Sequence, residues 1–142
     1  MKWKMLALDL DGTLLDRNGT VSEENAEWVR KAQRSGLHVV LVSGRHRLRM
    51  MPIVESLGLR LPIISTNGCE IWSAEGRLLD RKVLSWKDVE AVHLLAFRHN
   101  VRYRAYCAEG VFDSDKRSYL AQMDYSWLKV LLKSDSCESL LA

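Results

Sequence analysis

The stretch that decides the fold is Asp9-Leu10-Asp11-Gly12-Thr13-Leu14-Leu15. The run before it, from Trp3 to Leu10, is typical of a buried strand that ends in a loop. Two carboxylates placed two residues apart at the end of a strand can both reach one site. Gly12 allows the backbone to approach a ligand or to take a positive φ angle. An isolated Asp-x-Asp sequence would indicate only a polar strand end, but this stretch follows directly on a buried first strand.

The paired carboxylates suit phosphoryl transfer. That reaction needs a nucleophile, a proton donor and a cation that offsets the charge of the phosphate. An aspartate can attack phosphorus and form an aspartyl-phosphate. A second carboxyl group nearby can protonate the leaving alkoxide and then activate water. The pattern therefore favours a phosphoryl-transfer site where the first strand ends.

Apolar strands alternate with helices in the first half of the chain, which predicts a parallel α/β sheet with helices on both faces. Right-handed crossovers bring the carboxyl ends of such strands to one edge, where ligands bind. Polar clusters follow all three predicted strands, so we expect them to meet there. The strands are Trp3–Leu10, Leu37–Val42 and Pro62–Ser65, and the clusters are 9–13, 43–45 and 66–68. The helices between them are expected from the Ser22 cap to Gly36 and from His46 to Leu57.

The pattern changes after about Leu84, so we divide the chain into residues 1–83 and 84–142. A hairpin around Ala74-Glu75-Gly76 is predicted to close the first part. The second part is predicted to contain a helix, an antiparallel pair of strands and one further strand. Their bounds are Trp86–His99, 101–107 with Gly110–Asp113, and 127–132. Helical segments are also expected over 114–123 and from Cys137 onward.

Three segments resemble the haloacid dehalogenase superfamily. The stretch from Asp9 to Leu15 is similar to the first motif of that family, and Val42-Ser43-Gly44-Arg45 is similar to the second. Ser65-Thr66-Asn67-Gly68 resembles the Asn-Gly segment of its Cof-type branch, subclass IIB. The resemblance implies a Rossmann-like core in residues 1–83, the N-terminal half of that core, and part of an α/β cap domain in residues 84–142.

The resemblance also implies roles for individual residues. Asp9 is then the nucleophile and a Mg²⁺ ligand through its carboxylate. Asp11 is the general acid and base and binds Mg²⁺ through its backbone carbonyl. Ser43 hydrogen-bonds the phosphoryl group and Asn67 lines the site. The remaining candidates for binding phosphate or substrate are Gly12, Thr13, Gly44 and Arg45.

Two parts of the family pattern are missing from the sequence. The family places a lysine and an acidic Gly-Asp motif after the cap, and no Gly-Asp pair occurs in this chain. Three late lysines, Lys116, Lys129 and Lys133, fall where the cap is expected, and the acidic cluster 135–138 follows no core-like strand. We therefore expect the chain to stop within the cap and to have very low phosphatase turnover.

The composition excludes several other classes of protein. The net charge of +3 is too small to indicate a nucleic-acid partner. The basic patch from Arg45 to Arg49 has no interleaved aromatic residues, and we interpret Arg47 and Arg49 as a solvated helix face. The three cysteines lack zinc-type spacing, which indicates reduced thiols and a cytoplasmic location. Asp9 and Asp11 interrupt the first apolar run, so neither a signal peptide nor a membrane span is expected.

The leading hypothesis is a Mg²⁺-dependent phosphatase of small phosphorylated metabolites that acts through an aspartyl-phosphate. Transfer of the phosphoryl group to another acceptor is a close alternative. A catalytically inactive phosphate- or Mg²⁺-binding module and a truncated reading frame without function are the others. Met5 to Leu8 is apolar throughout, so a first strand without a neighbour on one side is expected to self-associate.

Overall fold

The computed structural model describes residues 3–114 and 125–133. The chain divides into two compact units, Met1–Arg81 and Lys82–Ala142. Within the described residues, no helix combines the length and the apolar character that crossing a bilayer requires.

The first unit is a five-stranded mixed sheet with two helices, which confirms the predicted α/β class. Strands β1, β2 and β3 are parallel, and β3, β4 and β5 are antiparallel, in the order β1-β2-β3-β4-β5. The strands are β1 Met5–Asp9, β2 His38–Val42, β3 Ile63–Ser65, β4 Glu70–Trp72 and β5 Leu78–Arg81, and the helices are α1 Glu23–Arg34 and α2 Arg47–Ser56. The predicted hairpin is thus present as β4 and β5.

Strand β1 differs from the sequence prediction. The apolar run predicted a buried strand, yet Met5 is 62% exposed and Ala7 is also exposed. Exposed and partly buried residues alternate along β1, so one face of the strand is uncovered. Strand β1 also lies at one edge of the described sheet and pairs only with β2. Its second edge therefore has no strand beside it among the described residues, in agreement with the expectation of a first strand without a neighbour on one side, whereas the prediction of a buried strand was wrong.

The helices begin and end near the predicted residues. Ser22 caps α1 through its hydroxyl group, which accepts a hydrogen bond from the Asn25 amide at 3.1 Å. His46, predicted as the first residue of α2, is instead its buried N-cap and accepts from the Leu48 amide at 3.3 Å through Nδ1. Both helices pack on the strands through one core, which contains Leu10, Leu14, Leu15, Ala26, Val29, Val39, Leu41, Met50, Ile53, Val54, Leu57, Leu61 and Ile63.

The second unit contains one helix and a three-stranded antiparallel sheet. Helix α3 spans Trp86–Arg98, and the strands β6 Arg102–Cys107, β7 Gly110–Asp113 and β8 Trp127–Lys133 have the order β7-β6-β8. Their core is formed by Val89, Ala96, Tyr103, Ala105, Cys107 and Trp127. These elements confirm the sequence predictions for this region. The helical segments expected over 114–123 and from Cys137 onward lie almost entirely outside the described residues.

Candidate active site

The loop after β1 folds back on itself at the carboxyl edge of the sheet. The Leu14 amide donates to the Asp9 carbonyl at 3.2 Å, and the Leu15 amide donates to the Leu10 carbonyl at 2.9 Å. Gly12 has a φ of 78°, which a glycine adopts without steric cost. The tight turn leaves the Asp9 carboxylate exposed, with the Thr13 hydroxyl 3.5 Å from its Oδ2 atom.

The loop after β2 approaches the loop after β3 at a glycine. A Cβ atom added to Gly44 would lie 3.1 Å from the Asn67 Oδ1 atom, so a larger residue at this position would contact the side-chain amide of Asn67 too closely. The backbone amide of Asn67 donates to the Ser43 carbonyl at 3.1 Å, and the backbone amide of Thr66 donates to the Arg45 carbonyl at 2.9 Å. These contacts hold Ser43, Gly44 and Asn67 together.

The turn that presents Asn67 has an unusual backbone. Thr66 and Asn67 have φ values of 53° and 59°, in the left-handed region. Asparagine tolerates this region, but a β-branched residue such as threonine rarely adopts it. Thr66 is fully buried, so the surrounding packing holds this conformation.

An ion pair joins the first loop to the second. The Arg45 guanidinium donates to the Asp11 carboxylate from Nε at 2.9 Å and from Nη2 at 2.5 Å, a two-point arrangement. The hydrogen bonds from Arg45, together with its positive charge, lower the pKa of Asp11. The same hydrogen bonds, together with the negative charge of Asp11, raise the pKa of Arg45. The Asp11 side chain is 60% exposed, so incoming anions can compete for Arg45.

The oxygen donors at this edge fit Mg²⁺ in kind, because Mg²⁺ prefers carboxylate and carbonyl oxygens. Asp9 supplies an exposed carboxylate, and Asp11 supplies a backbone carbonyl beside it. Across residues 3–114 and 125–133, no cluster of three or more His, Cys, Asp or Glu side chains could hold a metal ion. The Asp11 carboxylate is also engaged by Arg45. Asp9 and Asp11 would therefore hold Mg²⁺ with water in most of its coordination positions.

Sequence reasoning missed a buried carboxylate behind the site. Glu70 is 2% exposed, and its Oε1 atom accepts from Arg81 Nε at 2.8 Å and from Nη2 at 2.7 Å. Its Oε2 atom accepts from the Ser65 hydroxyl and the Trp72 indole, both at 3.2 Å. Ser65 directly precedes the strained turn, so Glu70 anchors the segment that presents Asn67. The available signal was the opposite charges of Glu70 and Arg81, which are register partners on the two hairpin strands.

The structure brings all of the predicted site residues to one edge. Contacts connect Asp9 with Thr13, Asp11 with Arg45, and Gly44 with Asn67. Gly12 shapes the first loop. The Ser43 hydroxyl accepts a hydrogen bond from the Arg45 backbone amide at 3.1 Å. Their catalytic and binding roles remain predictions.

One prediction about the neighbouring helix was wrong. Arg47 is not part of a solvated face, because its guanidinium lies 4.2 Å from the centre of the Trp72 ring and its Nε atom is buried. Arg49 is exposed, as predicted. The difference arises because the Arg47 side chain extends towards β4, a neighbour that helical spacing alone does not reveal.

A family model described as haloacid dehalogenase-like hydrolase matches residues 6–138. The chain is 32% identical over 126 residues to 5-amino-6-(5-phospho-D-ribitylamino)uracil phosphatase YcsE of Bacillus subtilis, covering 89% of this chain and 50% of that protein. It is 37% identical over 138 residues to phosphatase YwpJ of the same organism, covering 89% of this chain and 48% of that protein. The chain thus spans about half the length of these curated relatives.

The fold is similar to solved structures. A haloacid dehalogenase-like hydrolase from Bacillus subtilis superposes with a TM-score of 0.72 at 36% identity, covering 76% of this chain and 38% of that one. A haloacid dehalogenase-like hydrolase from Bacteroides thetaiotaomicron superposes with a TM-score of 0.70 at 27% identity, covering 86% of this chain and 48% of that one.

Proposed function

This chain belongs to the haloacid dehalogenase-like hydrolase family, and on that premise we propose that its Asp9 edge performs Mg²⁺-dependent hydrolysis of phosphoric monoesters. The observation that carries the proposal is the meeting of three loops at one sheet edge. There an exposed carboxylate, a second carboxylate and a guanidinium lie together, with Ser43 and Asn67 beside them. These groups are the nucleophile, proton carrier and anion-binding groups that phosphoryl transfer requires.

In the proposed reaction, the Asp9 carboxylate attacks phosphorus and the ester oxygen departs, which leaves an aspartyl-phosphate. Asp11 gives its proton to the departing oxygen and later accepts a proton from the water that cleaves the acyl-phosphate. Mg²⁺, when bound, neutralises charge on the phosphoryl oxygens. Asp11 must first leave Arg45, whose guanidinium is then released towards the phosphate.

The proposed substrates are small phosphorylated metabolites, processed in the cytoplasm. The relative YcsE is named for a phosphorylated ribitylaminouracil, a small molecule of that class. Cys69 and Cys107 form no disulfide among the described residues, in agreement with a reducing compartment.

A phosphate-binding module without turnover is the second candidate. The ion pair between Asp11 and Arg45 favours it, since the lowered pKa of Asp11 disfavours the protonated form that a general acid needs.

Hydrolysis of p-nitrophenyl phosphate with Mg²⁺ tests the proposal. We expect turnover that Asp9→Asn abolishes and that Asp80→Asn, an exposed aspartate on the opposite sheet edge, preserves. A rate that does not depend on Asp9 would refute the phosphatase. Phosphate binding without any turnover would favour the binding module.

We also propose that the chain self-associates through β1. The open edge of β1 carries the exposed residues Met5 and Ala7, whereas the other edge strand, β5, contains Asp80 and Arg81. Lysine at an edge opposes strand pairing. Ala7→Lys should therefore shift the mass measured by size exclusion with light scattering towards the monomer, and Leu79→Lys on β5 should not. A monomeric wild type that melts cooperatively above about 55 °C would contradict this proposal.

A further inference from the structure

The Glu70 carboxylate connects two loops of the candidate site through a single oxygen atom. Its Oε2 atom accepts from the Ser65 hydroxyl and from the Trp72 indole, each at 3.2 Å. Its Oε1 atom accepts two hydrogen bonds from Arg81, and Glu70 is only 2% exposed, so the carboxylate is held in one orientation. A buried acceptor that is held in this way also restrains the side chains that donate to it.

The first connection runs from Ser65 to the turn that carries Asn67. Ser65 is fully buried, pairs with Glu70 across β3 and β4, and immediately precedes Thr66. Thr66 and Asn67 have left-handed φ values, and such a conformation persists only where neighbouring contacts hold it. The Thr66 hydroxyl is buried without a hydrogen-bond partner among the described residues, so it does not stabilise the turn itself. The hydrogen bond between Ser65 and Glu70 therefore helps to hold Asn67 in place.

The second connection runs from Trp72 to the loop that carries Arg45. The Arg47 guanidinium lies 4.2 Å from the centre of the Trp72 ring, and Arg47 is the first residue of α2, two positions after Arg45. The hydrogen bond from the indole to Glu70 fixes the ring on which Arg47 stacks. The Arg47 Nε atom is buried and, within the described part of the chain, makes no hydrogen bond, so the stacking restrains this side chain. Trp72 thus restrains the start of α2 and, with it, Arg45.

The two connections meet at the backbone of the site. The Thr66 amide donates to the Arg45 carbonyl at 2.9 Å, and the Asn67 amide donates to the Ser43 carbonyl at 3.1 Å. A shift of either loop is therefore passed to the groups that would contact an anion. Misplacing such groups by about 1 Å can cost about a hundredfold in rate, even when the altered residue is remote from the reacting atoms.

We propose that Glu70 is a positioning residue for phosphate at the Asp9 edge. It holds Asn67 through the first connection and Arg45 through the second. Glu70 itself does not touch the anion, because it is buried and its charge is paired with Arg81. The inference rests on the proposed function in taking this edge as the phosphate site, but it does not require turnover.

Calorimetry of inorganic phosphate with the complete chain, without metal and at low salt, tests the proposal. Ser65→Ala removes the first connection. Trp72→Phe removes the indole N–H group of the second connection and keeps an aromatic ring beside Arg47. Each variant should weaken phosphate binding by about three- to tenfold, the range expected for the loss of one hydrogen bond.

Two control variants remove the same chemical groups elsewhere. Ser73→Ala removes a hydroxyl group of the same hairpin that bonds to Glu75, and Trp28→Phe removes an exposed indole of α1. Both should change the dissociation constant of phosphate by less than about twofold, as is usual for substitutions away from a site.

A double variant separates positioning from charge. Glu70→Leu with Arg81→Met removes both connections, leaves the net charge unchanged and leaves no unpaired buried charge. Phosphate binding should weaken at least as much as in either single variant. All dissociation constants are measured well below the unfolding transition of each variant, so a loss of stability alone would leave them unchanged.

The outcomes for Glu70 and for the phosphatase are distinct. The positioning role is overturned if Ser65→Ala or Trp72→Phe binds phosphate as tightly as its control, whatever the turnover. Absence of saturable phosphate binding by wild type would overturn it as well. If both variants weaken binding while hydrolysis of p-nitrophenyl phosphate does not depend on Asp9, the positioning role stands and only the phosphatase is refuted.

Discussion

Two arginine–carboxylate pairs in the first unit have similar geometry and opposite surroundings. Asp11 and Arg45 meet at the exposed carboxyl edge, where their side chains are 60% and 30% exposed. Glu70 and Arg81 meet inside the hairpin, where the exposed fractions are 2% and 28%. Both arginines donate from Nε and Nη2, but Glu70 accepts two further hydrogen bonds from Ser65 and Trp72.

This difference separates a functional pair from a structural one. An exposed pair contributes little to stability, because water and salt screen both charges. Its partners can therefore exchange with a ligand at small cost. A buried pair is costly to break, since the remaining charge has no solvent. Glu70 and Arg81 are thus suited to hold the turn before Asn67, and Asp11 and Arg45 are suited to open.

The largest effect is expected when Arg81 is removed. Arg81→Met leaves the Glu70 carboxylate buried without its cation, which should lower the free energy of unfolding by about 3–5 kcal/mol. Urea denaturation measures the change. Arg77→Met is the matched control, because Arg77 is an exposed arginine of the same hairpin.

A double variant sharpens this test. Glu70→Leu with Arg81→Met removes both charges, so it should be less destabilising than Arg81→Met alone. If Arg81→Met costs no more than the Arg77 control, the Glu70 pair is solvated and the contrast with Asp11 disappears.

The pair between Arg104 and Asp113 in the second unit is intermediate in its exposure to solvent. Asp113 accepts from Arg104 Nε at 2.8 Å and from Lys133 Nζ at 3.1 Å, and the hydrogen bond from Arg104 is the largest cause that lowers its pKa to about 2. A carboxyl group whose pKa falls on folding stabilises the protein above its unfolded pKa, about 4. That stability is lost as the pH falls towards 2.

Urea unfolding of wild type and Asp113→Asn between pH 2 and pH 6 checks this expectation. Wild type should be the more stable protein near pH 6, and the difference should vanish by about pH 2. A difference that stays constant with pH would mean that the charge of Asp113 does not contribute. Arg104→Met should reduce the pH dependence, because it removes the main partner of Asp113.

The sequence was sufficient to predict the site edge, because parallel strands place their carboxyl ends together. Asp9 lies at the end of one predicted strand, and Ser43 and Asn67 follow the other two, so their convergence required no knowledge of tertiary packing. The hairpin was predictable for a similar reason, since Ala74-Glu75-Gly76 separates two short strand-like runs.

Features that depend on distant neighbours were not predictable. Glu70 and Trp72 lie on a strand whose faces the sequence pattern did not distinguish, so their hydrogen bonds with Arg81 and Ser65 were missed. Arg47 was interpreted as solvated because helical spacing does not show that β4 lies within its reach. The apolar run of β1 indicated burial on both faces, a property that depends on what packs against each face of the sheet.

The smallest stability effect is expected at the exposed pair, together with a gain in anion binding. Asp11→Asn removes the partner of Arg45 and should change the free energy of unfolding by less than about 1 kcal/mol, because both side chains are partly solvated. It also removes a negative charge and releases the guanidinium. Binding of inorganic phosphate, measured by calorimetry without metal at low salt, should therefore tighten a few-fold in Asp11→Asn and weaken in Arg45→Met. Asp80→Asn removes one negative charge from β5 without releasing Arg45. It therefore distinguishes the effect of releasing Arg45 from the effect of the change in net charge. Weaker phosphate binding in Asp11→Asn would show that Asp11 supports the anion site and does not restrain Arg45.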